Sequence, residues 1–599
     1  MASLASASRS ARRPWRTVGW SGARGHAIAW LIMAAQVLYM TAPAISHITT
    51  LQIGDGGDGL YDLWDIVWIR GWIEGQHGLY FTHQLFAPGG ANLAWMTLAL
   101  PANLGAALIS PLLGLVGSYN VMVLLCQTLN GIAMYHLARS VRVGWLAGIA
   151  GGAAFIGSGH LVAEMLGHID LLQAFLLVWF VQLLWGILEV PNPQWVRVLC
   201  LGALWGATFY AIQDYALYQL AASVLLFLAH PAIRGIRTLT LIGRWREWLL
   251  AAGVAIAVTF PLWTSMLWGP LSPTLSTAAQ SATTPYLVDL VEFIIPAPWG
   301  PFWWLQSHWD LSAGLVEVAF PGFLVLGALY AALRSQWPTP RGQEGLLQVS
   351  LIGIGTFGVL ELGPYLHVDG IATGVPMPYL FLSYIPGWSV SLPVRLSVLT
   401  ALFGSLLVGV MGDRLIVRVS SWSIVRKAGL VAGAVGLLAL GCSWLPFPLA
   451  PVPRIAGAAE IRRAGGEVLF APAVVPGTDI GQGPVAYMYV DAVLGLPTPE
   501  GDVSRIPITT RLKVDGSTVL RFLWSLQFHR TAGKSLRRAA GRDLIRYLDR
   551  HRVGSIVVLR SEIRAPGPLI AWLRNELAIR YRVTWFRGEV VFIRSRTDG

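Results

Sequence analysis

Charge is scarce in this chain. Only 12% of its 599 residues are charged, about half the share of an ordinary soluble domain, while 55% are hydrophobic and the mean hydropathy is +0.58. That ratio cannot clothe a water-soluble exterior, and it excludes intrinsic disorder as firmly. Cysteine is scarcer still. Cys126, Cys200 and Cys442 each lie inside an apolar run, at spacings that fit neither a zinc site nor a disulfide framework, and read as small core residues. What remains is a polytopic α-helical membrane protein. Its 43 Lys and Arg against 31 Asp and Glu give a net charge of +12, but where the charges lie says more than their sum.

A bilayer core about 30 Å thick takes about 20 apolar helical residues to cross. Runs of that kind lie near 26–44, 118–139, 145–160, 169–188, 198–212, 214–230, 248–268, 313–333, 347–364, 396–413 and 428–446. The head, residues 1–25, carries Arg9, Arg12, Arg13, Arg16 and Arg24 without an acid, which predicts a cytoplasmic N-terminus. If all eleven runs cross, the clusters Arg139/Arg142, Arg234/Arg237/Arg244/Arg246, Arg334/Arg341 and Arg414/Arg418/Arg426/Lys427 fall inside. The acid-bearing loops 45–97, 269–312 and 365–395 then fall outside. A twelfth crossing at 98–116, a run broken by Pro101 and Pro111, spoils this agreement, so that segment reads as re-entrant or surface-lying on the outer side. A cleaved signal peptide ending near Ala42-Pro43-Ala44 is the alternative for the first run. The Arg-rich head and near-full-length apolar stretch favour an uncleaved anchor.

From about residue 456 the pattern changes. Segments 467–472, 485–490, 554–559 and 589–593 read as short strands, and 517–529, 535–551 and 567–579 as helices. This predicts a small α/β domain over 456–599, following a transmembrane domain over 26–455 with a large outer loop at 45–117. Eleven crossings from an inside start place the α/β domain outside the cytoplasm.

The outer loop after the first run holds Asp55, Asp58, Asp62 and Asp65 within eleven residues, among four glycines. From Leu60 the pattern turns helical, with Trp64, Trp68 and Trp72 on one face, as suits a helix at headgroup level. A general base or metal cluster at the membrane surface, and a solvated acidic loop with an aromatic anchor, fit these residues equally. Asp62 and Asp65 taken singly read as solvated face. His160, Glu164 and His168 are four apart, so one helical turn aligns them as a metal or phosphate grip, or as a hydrogen-bonded cap, the commoner use. Asp214 stands at the next predicted outer turn, and Asp289 and Glu292 in the loop beyond. Glu317 and Glu361 lie deeper. Arg395 stands at the outer mouth of the run 396–413, where a guanidinium can grip a phosphate or snorkel to the interface. Asp55, Asp58, His160, His168, Asp214, Asp289 and Arg395 thus share one side, which a single outer reaction or binding site explains.

These residues carry a resemblance. An acidic first outer loop on a helical membrane protein with a C-terminal outer domain resembles the GT-C glycosyltransferases. In particular, Gly54-Asp55-Gly56-Gly57-Asp58 with Trp64, Trp68 and Arg70 is similar to the start of a group of bacterial GT-C-like membrane proteins. So are Phe81–Leu93, Gly167–Leu172, Leu362–Val368, Pro393-Val394-Arg395 and Gly501–Arg505. Asp170 stands where that pattern more often has Asn.

The resemblance implies transfer of a sugar from a polyprenyl-phosphate donor to an acceptor outside the cytoplasmic membrane of a bacterium, be it a cell-envelope glycan, lipid or protein. It also implies a first-loop carboxylate as base: Asp55 or Asp58, with Asp58 preferred because it opens the helix. Two close carboxylates at a low-dielectric boundary are expected to raise the base's pKa. Arg395 and His168, with Arg70 behind them, are expected to receive the leaving phosphate, and His160, Asp214 and Asp289 to complete the substrate site. A divalent metal at Asp55/Asp58 is compatible but not demanded. Membrane lipid is an expected partner and nucleic acid is not. The competing classes are a non-catalytic glycan- or lipid-binding relative and a transporter. The latter calls for mid-span ionisable groups and related halves, and no repeat is visible.

Overall fold

The computed structural model describes residues 20–190, 194–234, 243–271, 288–295, 318–334, 343–385, 387–442, 447–453, 455–473, 486–501, 508–526, 533–560, 563 and 566–595. The basic head through Arg16, Arg237, Arg341, Glu317 and the Asp502–Arg505 motif lie outside the described residues. So do the predicted stretches 313–317, 443–446 and 527–529.

The apolar runs form helices: α1 (Trp20–Met40), α3 (Leu100–Ser140), α4 (Trp145–Ile156), α6 (Ala174–Leu188), α7 (Trp195–Ala211), α8 (Gln213–Arg234), α9 (Trp245–Trp268), α10 (Phe323–Arg334), α11 (Glu344–Glu361), α12 (Ser397–Arg418) and α13 (Ile424–Cys442). Between them lie α2 (Gly59–Ile73) and the short α5 (Gly159–Glu164). Among the described residues five helical stretches are long and apolar enough to cross a membrane: Leu100–Ser140, Leu171–Leu188, Trp245–Trp268, Glu344–Glu361 and Pro393–Arg418. Leu31, Leu112, Leu228, Phe260 and Trp268 stand exposed on the helices, a surface that calls for lipid rather than water. The helix at 98–116 is the first arm of α3, which breaks at Gly114 (φ 70, ψ 173).

The C-terminal segment folds as a four-stranded sheet of β7 (Glu467–Ala471), β8 (Val553–Leu559), β9 (Tyr581–Trp585) and β10 (Glu589–Arg594), in the order β7-β8-β10-β9. β7 and β8 run parallel and the other pairs antiparallel. Helices α14 (Ala486–Leu494), α15 (Thr518–Ser525), α16 (Lys534–Arg550) and α17 (Pro566–Leu577) accompany it. The predicted strand at 485–490 is a helix over its described part. Its buried side chains, Tyr487, Met488, Val490 and Leu494, recur at helical rather than alternating spacing, and the Tyr487 hydroxyl donates to the Ala471 carbonyl at 2.7 Å.

The loop after α1 is tied to both halves of the chain. Strand β1 (Leu51–Ile53) pairs with β6 (Leu449–Pro451), and β2 (Phe81–Thr82) with β3 (Ala91–Asn92). The Asn120 side chain on α3 accepts from the Ile53 N–H and donates to the Ile48 and Leu51 carbonyls, each at 2.8 Å. Further on, Phe86 and Ala87 donate backbone bonds to Glu500 and Thr498, and Thr498 donates to Gln84, at 2.7–3.1 Å.

Helix α2 departs from the headgroup-level anchor that its tryptophans predict. Trp64 and Trp68 are buried, stacked on each other at 5.4 Å, in one core with Leu85, Phe86, Met488, Leu544 and Phe592. Only Trp72 is exposed. The aromatic face therefore meets the α/β segment instead of lipid, because a large apolar surface buries against whichever partner the tertiary fold supplies.

Candidate active site

The site is built where two turns interlock. The Gly54 N–H donates to Pro448 and the Asp55 N–H to the Leu166 carbonyl, at 3.0 and 3.2 Å. Gly54 adopts φ +124, and a Cβ there would lie 2.2 Å from the Leu166 carbonyl oxygen. Gly167 leaves the same kind of room for the backbone at Asp58 and Gly59. Glycine is required at both positions because a side chain would force the turns apart.

Asp58 then occupies the N-cap of α2, yet its carboxylate makes no capping bond. It faces His168 instead, Oδ2 to Nε2 at 3.0 Å. His168 Nδ1 lies 3.3 Å from Glu164 Oε2, and Glu164 Oε1 lies 3.3 Å from His160 Nδ1. His160 Nε2 meets the Tyr215 hydroxyl at 3.0 Å, which donates on to the Leu171 carbonyl at 2.8 Å. A chain of alternating carboxylates and imidazoles thus runs inward from Asp58, whose side chain is 52% exposed, to Glu164, which is fully buried.

Arg395 stands beside this chain. Its guanidinium binds Asp214 at 2.9 Å, and its charge reaches Asp58 and Asp170. The segment carrying Arg395 is held by two tyrosines. The Tyr218 hydroxyl meets Ser391 Oγ at 2.7 Å, and the Tyr379 hydroxyl donates to the Ser391 carbonyl at 2.7 Å.

Burial pushes the Asp58 carboxyl up, but the His168 hydrogen bond and the charges of His168 and Arg395 outweigh it and hold the group below the usual carboxylate range. The expected raised pKa is therefore reversed, because Asp58 faces two cations rather than Asp55. His168 is raised to about 10: burial favours its neutral form, but Asp58, Glu164 and Asp170 together favour the imidazolium. Asp58 and His168 form an ion pair at neutral pH.

The other predicted residues lie elsewhere. The Asp55 carboxylate turns back on its own loop and accepts the Gly57 N–H at 2.8 Å. Asp289 is buried, and accepts from the backbone N–H groups of Val291, Asp369 and Gly370 at 2.8–3.0 Å. It caps a short helix and the hairpin of β4 (Tyr365–Val368) and β5 (Ile371–Pro376). Arg70 pairs with Glu74 at 2.8 Å on an exposed turn, about 18 Å along α2 from Asp58 at the helical rise. Asp62 and Asp65 are buried rather than solvated. Asp62 accepts from Asn103 at 3.3 Å, and both are raised well above the usual carboxylate range by burial first and neighbouring acids second. The packing of α2 onto α3 encloses them. Sequence reasoning passed over Tyr215, Tyr218 and Tyr379, whose long-range hydroxyl bonds leave no local pattern.

Among the described residues no three His, Cys, Asp or Glu side chains are grouped to hold a metal ion. Asp55 is turned to its own loop and Asp58 to His168.

No protein-family model matches the chain, and no curated protein matches it. Solved structures do. The arabinofuranosyltransferase AftD from Mycobacteria matches over 96% of this chain with a TM-score of 0.61 at 15% identity. The chain resembles this arabinofuranosyltransferase in overall fold. It spans 40% of the length of AftD. Two further structures are similar at lower scores. The oligosaccharyltransferase AglB from Archaeoglobus fulgidus, in complex with an inhibitory peptide and a dolichol-phosphate, has a TM-score of 0.48 at 11% identity, over 97% of this chain and 75% of its own. ArnT from Cupriavidus metallidurans, bound to undecaprenyl phosphate, has 0.47 at 12%, over 95% and 98%.

The Asp58–His168 ion pair makes stability depend on pH. His168 rises from 6.5 to about 10 on folding, so its contribution is full below pH 6.5 and is lost as pH rises through about 10. Asp58 falls below 3.8, so its contribution is present above that value and is lost as pH falls beneath it. His168→Gln is expected to lower the melting temperature most between pH 3.8 and 6.5, less as pH rises from there to about 10, and least above pH 10. Melting curves of both proteins across that range check this, and a pH-independent difference would remove the ion pair from the account.

Proposed function

We propose that this chain transfers a glycosyl group from a polyprenyl-phosphate donor to an acceptor hydroxyl outside the cytoplasmic membrane of a bacterium. In this reading eleven spans cross from a cytoplasmic N-terminus and the C-terminal α/β domain lies on the outer side. The observation that carries it is Asp58: an exposed, ionised carboxylate on an interlocked turn, not used as a helix cap, oriented by a half-buried imidazolium, with Arg395 alongside. The overall fold shared with an arabinofuranosyltransferase supports the reaction class.

The acceptor oxygen forms its bond to the anomeric carbon as the bond from that carbon to the phosphate oxygen breaks, and the electron pair leaves with the polyprenyl phosphate. The hydroxyl proton passes to Asp58. A carboxylate of low pKa is a weak base, but it suffices when the proton leaves late, after the new bond has begun to acidify the hydroxyl. His168 is engaged by two carboxylates and so acts as a positioning residue for Asp58. Arg395 presents a guanidinium fork that can hold Asp214 and a phosphate oxygen together. The lipid tail lies between helices on the apolar surface.

The test is transfer by purified protein in lipid, with a panel of radiolabelled polyprenyl-phosphate sugars that includes an arabinofuranosyl donor, and membrane extract as acceptor. Label moving into the acceptor supports the proposal. Donor that binds without transfer indicates a binding protein, and no interaction with any donor in the panel indicates a transporter.

A further inference from the structure

Helix α16 carries Lys534, Arg538, Arg542, Arg546 and Arg550 at every fourth position, with Arg537 beside them, and all six side chains are exposed. At the helical rise they stand about 6 Å apart and form a slowly winding ridge about 24 Å long. The acids of the helix do not neutralise it. Asp543 accepts the Thr518 hydroxyl at 2.7 Å and lies 3.7 Å from Arg546. Asp549 is shared by Arg580 and Arg594 at 2.8 and 2.7 Å, which brings two further cations to the end of the ridge. Lys534, Arg537, Arg538, Arg542 and Arg550 make no ion pair among the described residues. Like charges four apart along the ridge repel one another, a cost that an anionic partner removes.

We propose that this ridge docks an acidic polysaccharide, a linear chain with carboxylate or other anionic groups at regular spacing, and that this chain is the acceptor polymer. The second clause rests on the proposed transferase function; the docking itself does not. Charge complementarity along a line selects a linear polyanion. An anionic membrane surface fits less well, because the apolar side of α16, Ala540, Leu544 and Leu548, is buried in the core and offers nothing to insert into lipid. Single-stranded nucleic acid calls for exposed aromatic side chains to stack its bases, and the one aromatic of the helix, Tyr547, is half-buried. The ridge is also joined to the site. Leu544 and Leu548 share a core with Trp64 and Trp68 of α2, the helix that Asp58 opens. A polymer on the ridge is thereby held by the same packed unit that carries the base.

The experiment measures binding of polygalacturonate to the full chain in nanodiscs of neutral lipid, beside neutral dextran and vesicles containing phosphatidylglycerol. Polygalacturonate is expected to bind well above dextran, with affinity falling steeply between about 50 and 200 mM salt. The triple variant Arg538→Gln, Arg542→Gln, Arg550→Gln is expected to bind at least about tenfold more weakly with a shallower salt slope, and the three Arg→Lys changes to restore binding. Unchanged melting temperature in all variants keeps the comparison valid, since the side chains are exposed. Equal binding by the Gln variant, no preference over dextran, or a loss confined to vesicle binding each overturns the inference. Asp58→Asn is expected to capture the polymer as wild type does. Transfer without polymer capture overturns this inference alone, whereas capture without transfer overturns the transferase reading alone.

Discussion

Asp58→Asn is expected to lower transfer by about 10²–10⁴-fold while leaving expression and donor binding close to wild type. The amide keeps the size of the carboxylate and its place at the head of α2, so the turn through Gly54 and Gly167 is not disturbed. What it loses is the ability to accept the hydroxyl proton, together with the ion pair to His168 at 3.0 Å. Loss of that pair is expected to lower the melting temperature over the same pH range as His168→Gln does, while the loss of transfer comes from the missing base. Asp55→Asn is expected to retain most activity, since the Asp55 side chain accepts the Gly57 N–H, a bond that an amide oxygen also accepts. Rates of label transfer for the two variants, measured beside wild type, decide between them. Full activity in Asp58→Asn with none in Asp55→Asn would move the base to Asp55.

Trp64→Ala is the substitution with the largest expected cost in stability, about 3–5 kcal/mol. Trp64 is fully buried, stacks on Trp68, and donates its indole N–H to Asp491 at 3.2 Å. Removing it leaves a cavity between α2 and the α/β segment and takes the bonded partner from a buried acid. The expected readout is a strongly lowered melting temperature, with early proteolytic release of fragments from residues beyond about 456. Asp491→Asn supplies the contrast. Burial pushes the Asp491 carboxyl well above the usual range, with the Trp64 bond opposing that rise; burial therefore favours the neutral form, and a neutral amide is expected to replace it at small cost. A melting temperature for Trp64→Ala within a degree or two of wild type would mean that α2 is positioned by other contacts.

Much of the architecture was legible from local pattern, because it rests on local physics. An apolar run of about 20 residues has few ways to satisfy its backbone other than a helix, and each of the apolar runs is helical over most of its described length. The β-branched stretches at β7, β8 and β10 likewise declare themselves, since Val and Ile at alternating or fully buried positions suit a sheet interior. The segment at 486–494 was misread because a short run of tyrosines and aliphatics fits either period until its neighbours are known. The acidic glycine-rich turn and the His160–Glu164–His168 spacing stood out as unusual by residue type alone.

Which of those residues act together was decided only by the tertiary structure. Asp58 and His168 are 110 positions apart, and Asp214 and Arg395 are 181 apart, distances over which no local periodicity carries information. Asp289 and Asp58 are the same residue type on loops expected to share one side. Backbone N–H groups enclose the first as a cap, while the second is left facing solvent and an imidazolium. The tryptophans of α2 promised an apolar face, but whether lipid or protein covers such a face depends on what is packed beside it. Composition and periodicity specify each element's own preferences; the partner that satisfies them, and so the charge state of a carboxylate, comes from contacts made only when the whole chain is folded.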